Sequence, residues 1–118
     1  MSENRWRTPD AGACPSFVAA MGIVGKPWNG LIVQALGSGC ESFTQIARYA
    51  TGLSDAMLSR RLTELCERGL VVREVIDTRP PGVRYGLTAA GLDLVPVLDA
   101  LTDWAESHMV VTADAETG

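Results

Sequence analysis

Apolar residues recur along this chain first at helical spacing, then at strand spacing, then at helical spacing again. From Cys14-Pro15 the run PSFVAAMGIVG sets Phe17, Ala20/Met21 and Val24 on one helical face, and Gly25 stops it. Proline suits a first helical turn, which places Cys14 at or next to the N-cap. A second helix is expected from near Pro27 through WNGLIVQAL to Gly37-Ser38-Gly39. Its apolar residues surround it on several sides, as in a central buried helix. Thr44 is the expected cap of a short third helix, QIARYA, ended by Gly52, and Ser54 caps a fourth with Asp55 in its first turn. In this fourth helix Leu58, Leu62 and Leu65 share one face; Ala56, Ser59, Arg60, Thr63 and Glu67 share the other, with Arg61 on the flank. Beyond Gly69 the β-branched LVVREVID and then VRYGL read as two strands around the turn Arg79-Pro80-Pro81-Gly82. Thr88 caps a last helix from Ala89 to about Met109. There Leu94, Val97/Leu98, Leu101, Ala105 and His108 form a stripe, with Asp93, Asp99, Asp103 and Glu106 outside it. Pro96 lies past the first turn, so a kink is expected.

The order helix, helix, short helix, helix, hairpin, helix predicts a mainly α chain with a β-hairpin wing (α+β). It is the winged helix-turn-helix arrangement. Residues 1–13 read as a flexible N-terminal arm, 14–109 as one domain and 110–118 as a frayed acidic tail.

Composition narrows the function classes. With 118 residues, 47% of them hydrophobic, the chain builds one core, and a domain this small commonly gains stability by dimerising. No apolar run approaches the ~18 residues of a membrane span, and the polar opening MSENRWRTPDAGA lacks a signal-peptide core. The expectation is a soluble cytoplasmic protein without membrane contact. Three cysteines (Cys14, Cys40, Cys66) and one histidine (His108) assemble no zinc site, and reduced thiols are expected. No carboxylate pair, Ser/His/Asp set or phosphate loop stands out; neither an enzyme nor a cofactor is expected. The net charge of −4 argues against a nucleic-acid partner until it is divided along the chain. Residues 1–42 balance, 43–84 carry seven arginines for a net +2, and 85–118 carry six acids and no lysine or arginine. The arginine-rich middle is where phosphate binding belongs.

Several stretches resemble the HxlR-type winged-helix transcriptional regulators of bacteria, relatives of the MarR group. They are Cys14-Pro15, IVGKPW at 23–28, SFTQI at 42–46, LSDAMLSRRLTELCERGLV at 53–71, PPGVRYGLTAAG at 80–91 and LVPVLDALTDW at 94–104. The resemblance covers roughly residues 14–105. It departs from the family in the sparsely charged QIARYA, in Arg84 where an acid is common, and in Arg60 where glutamine is common.

The resemblance and the residues together predict a dimeric, sequence-specific DNA-binding regulator reading a near-palindromic operator. Small Ser54, Ala56 and Ser59 allow close approach to base edges, and Arg60 at mid-face suits a guanine. Thr44, Arg61 and Thr63 complete the helical contacts, and Arg79 and Arg84 beside the proline tip suit backbone or minor groove. The dimer interface is expected at Phe17, Met21, Leu94, Leu98, Leu101 and Ala105. Some members of the resembled family sense oxidants or electrophiles through the cysteine matching Cys14. A thiol beside the unpaired N–H groups of a helix start suits that role. A small-molecule effector is the other expected trigger. The rival reading is a module that binds a small molecule or protein without specific DNA contact, since fold alone does not fix function.

Overall fold

The computed structural model describes residues 9–110. Residues 1–8 of the expected 1–13 arm, with Arg5 and Arg7, and residues 111–118 of the expected 110–118 tail lie outside the described residues. After a short 3-10 turn at Pro9–Ala11 come α1 (Pro15–Val24), α2 (Asn29–Gly37), α3 (Phe43–Tyr49) and α4 (Asp55–Glu67). Strands β1 (Val71–Ile76) and β2 (Gly82–Leu87) and the 20-residue helix α5 (Ala89–His108) follow. The hairpin is antiparallel, from Val71 opposite Leu87 to Ile76 opposite Gly82. The backbone N–H of Tyr85 also donates to the carbonyl of Glu41 (2.8 Å), which ties the wing to the segment before α3.

The core gathers on α2, α3 and α4: Ile32, Val33, Ala35, Ile46, Leu58, Leu62 and Leu65 are essentially inaccessible. The expected central helix is thus α2, though it starts later than Pro27. Trp28 precedes it in the left-handed region (φ 77°), unusual for a bulky side chain, and turns the chain between α1 and α2. Asn29, buried at the start of α2, donates through Nδ2 to the carbonyl of Ile23 (2.8 Å) and fixes that corner.

One expected cap shifts. The cap of α3 is Ser42, not Thr44: Ser42 Oγ accepts from the N–H of Gln45 (3.1 Å), and Gln45 Oε1 accepts from the N–H of Ser42 (3.2 Å). This reciprocal pair satisfies two otherwise unpaired donors, whereas Thr44 already lies within the first turn. At Pro96 the chain stays helical, and α5 runs through it as one element. Ser54 and Thr88 cap α4 and α5 as expected, each accepting from the N–H three residues on.

Helix α5 packs against α2 through Leu94, Val95 and Leu98. Twenty residues rise about 30 Å and the nine of α2 only about 14 Å. Helix α2 therefore supports only part of α5, although Gln34 Nε2 still donates to Thr102 Oγ1 (3.3 Å) on its far half.

Candidate nucleic-acid interface

Helix α4 sorts its residues cleanly. Leu58, Leu62 and Leu65 are buried; Ser54, Ala56, Ser59, Arg60 and Thr63 are exposed. The buried face is held by core packing, so the opposite face points outward without needing contacts of its own. Thr63 Oγ1 turns back to donate to the carbonyl of Ser59 (3.0 Å). Arg60 makes no ion pair among the described residues, and its charge is unspent. Thr44, displaced from its capping role, is an exposed residue of the first turn of α3.

Arg61 is placed differently from its neighbour. Its side chain is only 13% exposed, and Nη1 donates to Glu64 Oε1 (3.0 Å), which also meets Lys26 Nζ (3.5 Å). The bonded Arg61 guanidinium holds the Glu64 carboxyl below the usual carboxylate range, with Lys26 adding to the effect against partial desolvation. Arg61 thus faces the α1–α2 corner rather than outward. This departs from the expectation of direct contact: a guanidinium already committed to a carboxylate is not available to a base. It positions α4.

The wing divides by strand alternation. Val71, Arg73 and Val75 share a face with Leu87, Tyr85 and Val83; Glu74 lies opposite Arg84 on the other. Arg84 Nε stands 3.8 Å from Glu41 Oε1, both side chains being half exposed, and Arg79 is exposed in the loop. Between α4 and the Arg73–Tyr85 face lies a cleft of about 490 Å³, walled by Ser59, Thr63, Cys66 and Glu67 on the helical side. Burial pushes the Cys66 thiol up from its ordinary value, the more so beside Glu67 and less beside Arg73. Arg73 was legible in the sequence only as one arginine among seven. The alternation of β1 sets it on the Val71 side, and the register brings it beside Tyr85.

The expected interface residues separate into two groups. Leu98 is 6% exposed and belongs to the core under α2, so it is not free for a partner. Leu94 is half-buried against that core and Ala105 half-buried further on. Phe17 (64% exposed), Met21 and Leu101 (59%) are open, joined by Val18, Val97 and Trp104. No residue of α1 is buried. Between α1 and α5 an apolar cleft of about 290 Å³ is walled by Ala20, Ile23, Val24, Leu94 and Val97. His108 stacks on Trp104 with ring centroids 5.4 Å apart. Cys14, the N-cap of α1, is half-buried, and the thiols of Cys14, Cys40 and Cys66 are all free.

A helix-turn-helix with an exposed, polar second helix and a hairpin wing beside it defines the winged helix-turn-helix class of protein. Residues 23–113 match the family described as HxlR-like helix-turn-helix. The chain belongs to that family. It is 40% identical over 92 residues to YvaP of Bacillus subtilis, an uncharacterised HTH-type transcriptional regulator, covering 78% of this chain and 85% of YvaP. It is 37% identical over 93 residues to the HTH-type transcriptional regulator YodB of the same organism, covering 79% and 83%. The reduced form of YodB superimposes with a TM-score of 0.73 over 81% of this chain and 94% of that one, at 35% identity. Diamide-treated and quinone-bound YodB match with TM-scores of 0.69 and 0.68. The redox regulator HypR in its oxidised form matches with a TM-score of 0.75 over 83% and 100% of the two chains, at 32% identity.

Proposed function

We infer that this transcriptional regulator of the HxlR-like family binds operator DNA as a two-fold dimer, acting in the cytoplasm, with residues 14–109 supplying both reading and dimerisation. The observation that carries the reading is the outward face of α4, where Ser54, Ala56, Ser59 and an unpaired Arg60 stand beside the wing. Each α4 enters a major groove, the two half-sites lying about one helical turn, roughly 34 Å, apart. Thr44 of α3 and Thr63 of α4 flank the same groove, and Arg79 and Arg84 on the wing meet the backbone or minor groove. Dimerisation is supported by α1, a helix of ten residues with none buried, and by the exposed apolar face of α5 formed by Val97, Leu101 and Trp104. Isolated helices of that length are marginal in water, so α1 needs a partner. Phe17, Met21 and Leu101 supply the contact, with Leu94 and Ala105 at its edge.

Selection of bound duplexes from random DNA tests the reading, followed by a salt titration of the winner. Enrichment of a near-palindrome is expected, with affinity falling roughly 10³-fold or more between about 50 and 200 mM salt for ~6 or more phosphate contacts. Enrichment of nothing specific overturns it in favour of a module for another partner.

Cys14 is proposed as the thiol through which an oxidant or electrophile acts, at the head of the dimerising helix. The diamide-treated and quinone-bound forms of YodB make these two reagents the natural probes. Diamide or a quinone should release wild-type protein from its operator and leave Cys14→Ser bound. Equal release of both proteins excludes the role.

A further inference from the structure

We propose that the cleft between α4 and the wing is a binding site for one sugar-phosphate strand of the duplex, with Arg73 as its cation and Tyr85 beside it. The proposal rests on the DNA-binding reading above and adds a site to it. When a helix fills the major groove and a wing tip reaches the neighbouring minor groove, the strand dividing the two grooves must pass between helix and wing. Here that passage is the cleft of about 490 Å³ that separates Ser59 and Thr63 from Arg73 and Tyr85.

Three observations favour a phosphate strand as the occupant. Arg73 is exposed on β1 and makes no ion pair among the described residues, whereas Arg61 and Arg84 each stand beside a carboxylate. Strand pairing sets Arg73 directly across from Tyr85, on the face that begins with buried Val71. The arginine therefore rises from a fixed base and is aimed along the cleft rather than away from the body. Both kinds of wall suit a strand: the Ser59 hydroxyl and the Tyr85 phenol are neutral donors for phosphate oxygens, while the Thr63 hydroxyl is spent on the Ser59 carbonyl, and the guanidinium is the charged donor. Glu67 opposes it. Its carboxylate lines the same cleft at the end of α4, so it weakens the hold and limits how deep the strand sits.

Arg73 differs from the residues proposed to read bases. Its contribution is independent of sequence and appears as released counterions. The test compares wild type, Arg73→Ala, Arg73→Lys, Glu67→Gln and Arg68→Ala on the selected duplex and on a scrambled one, over a range of salt. Arg68 is also a cation, but it lines a separate polar niche with Lys26 and Glu64, so its removal controls for net charge. Arg73→Ala is expected to weaken both duplexes alike and to reduce the log–log salt slope by about 0.9. Arg73→Lys should restore that slope, and Glu67→Gln should tighten binding to both duplexes. Arg68→Ala should leave the slope unchanged. A wild type that binds no duplex specifically removes the DNA reading and this site with it. A wild type that binds while Arg73→Ala keeps the full slope, or loses no more of it than Arg68→Ala, removes the strand site alone.

Discussion

Two adjacent arginines on α4 have opposite fates, decided by a rotation of one residue about the helix. Arg60 sits opposite the buried leucines and stays unpaired; Arg61 sits on the flank and is drawn inward by Glu64. Arg60→Ala is expected to cost about 1–3 kcal/mol of specific binding and to relax preference at one base position. Competition by single-base variants of the selected duplex measures this; loss spread evenly over all variants would mark a phosphate contact instead. The flank position of Arg61 and its i, i+3 spacing from Glu64 were legible from helical periodicity, but the third member of the cluster was not. Lys26 and Glu64 meet across the fold, 38 residues apart, and no local pattern announces such a contact. Ser42 was legible and misread: Ser42-Phe43-Thr44-Gln45 carries the S-x-x-Q capping signature, and Thr44 is the second hydroxyl in it.

Among the elements, the corner between α1, α2 and α4 is the one whose strength should depend on acidity. The Arg61 bond holds Glu64 ionised to a lower pH in the folded chain than in the unfolded one. Its stabilisation is therefore complete above the unfolded carboxyl pKa and disappears as pH falls through the lower folded value. Glu64→Gln should lower the Tm at neutral pH, and the gap to wild type should close on acidification. A gap independent of pH between neutrality and strong acid would show that the ion pair is not its source. The other elements were mostly visible in the pattern of the chain, because caps such as Ser54 and Thr88 and stops such as Gly52 and Gly69 act locally. The faces of α5 were not. One broad apolar arc serves two purposes, Leu98 toward α2 and Leu101 toward open solvent, and rotation about the helix separates them: Thr102, one turn past Leu98, still accepts from Gln34 Nε2 of α2 (3.3 Å).

For the whole molecule, the decisive surface is the one formed by α1 and the exposed apolar face of α5. Leu101→Asp should give a folded monomer by sedimentation, with an unchanged helical spectrum, and should weaken operator binding about 10²-fold or more as the linkage between half-sites is lost. A variant that remains dimeric would move the axis elsewhere. The two-layer order of helices and wing followed from sequence, as did the arginine-rich middle; the docking of α5 along α2 required the structure. That docking also separates charge in space. Asp93, Asp99, Asp103 and Glu106 are exposed on α5, which carries no lysine or arginine. Arg60, Arg73 and Arg79 are exposed on α4 and the hairpin among Asp55, Glu67, Glu74 and Asp77, so the contrast is −4 on α5 against +1 over residues 55–87. In the field of a polyanion such a body feels a torque before it feels a contact. It turns its acidic helix away and arrives hairpin first, so collisions in the wrong attitude are repelled early and the search is spent on productive approaches.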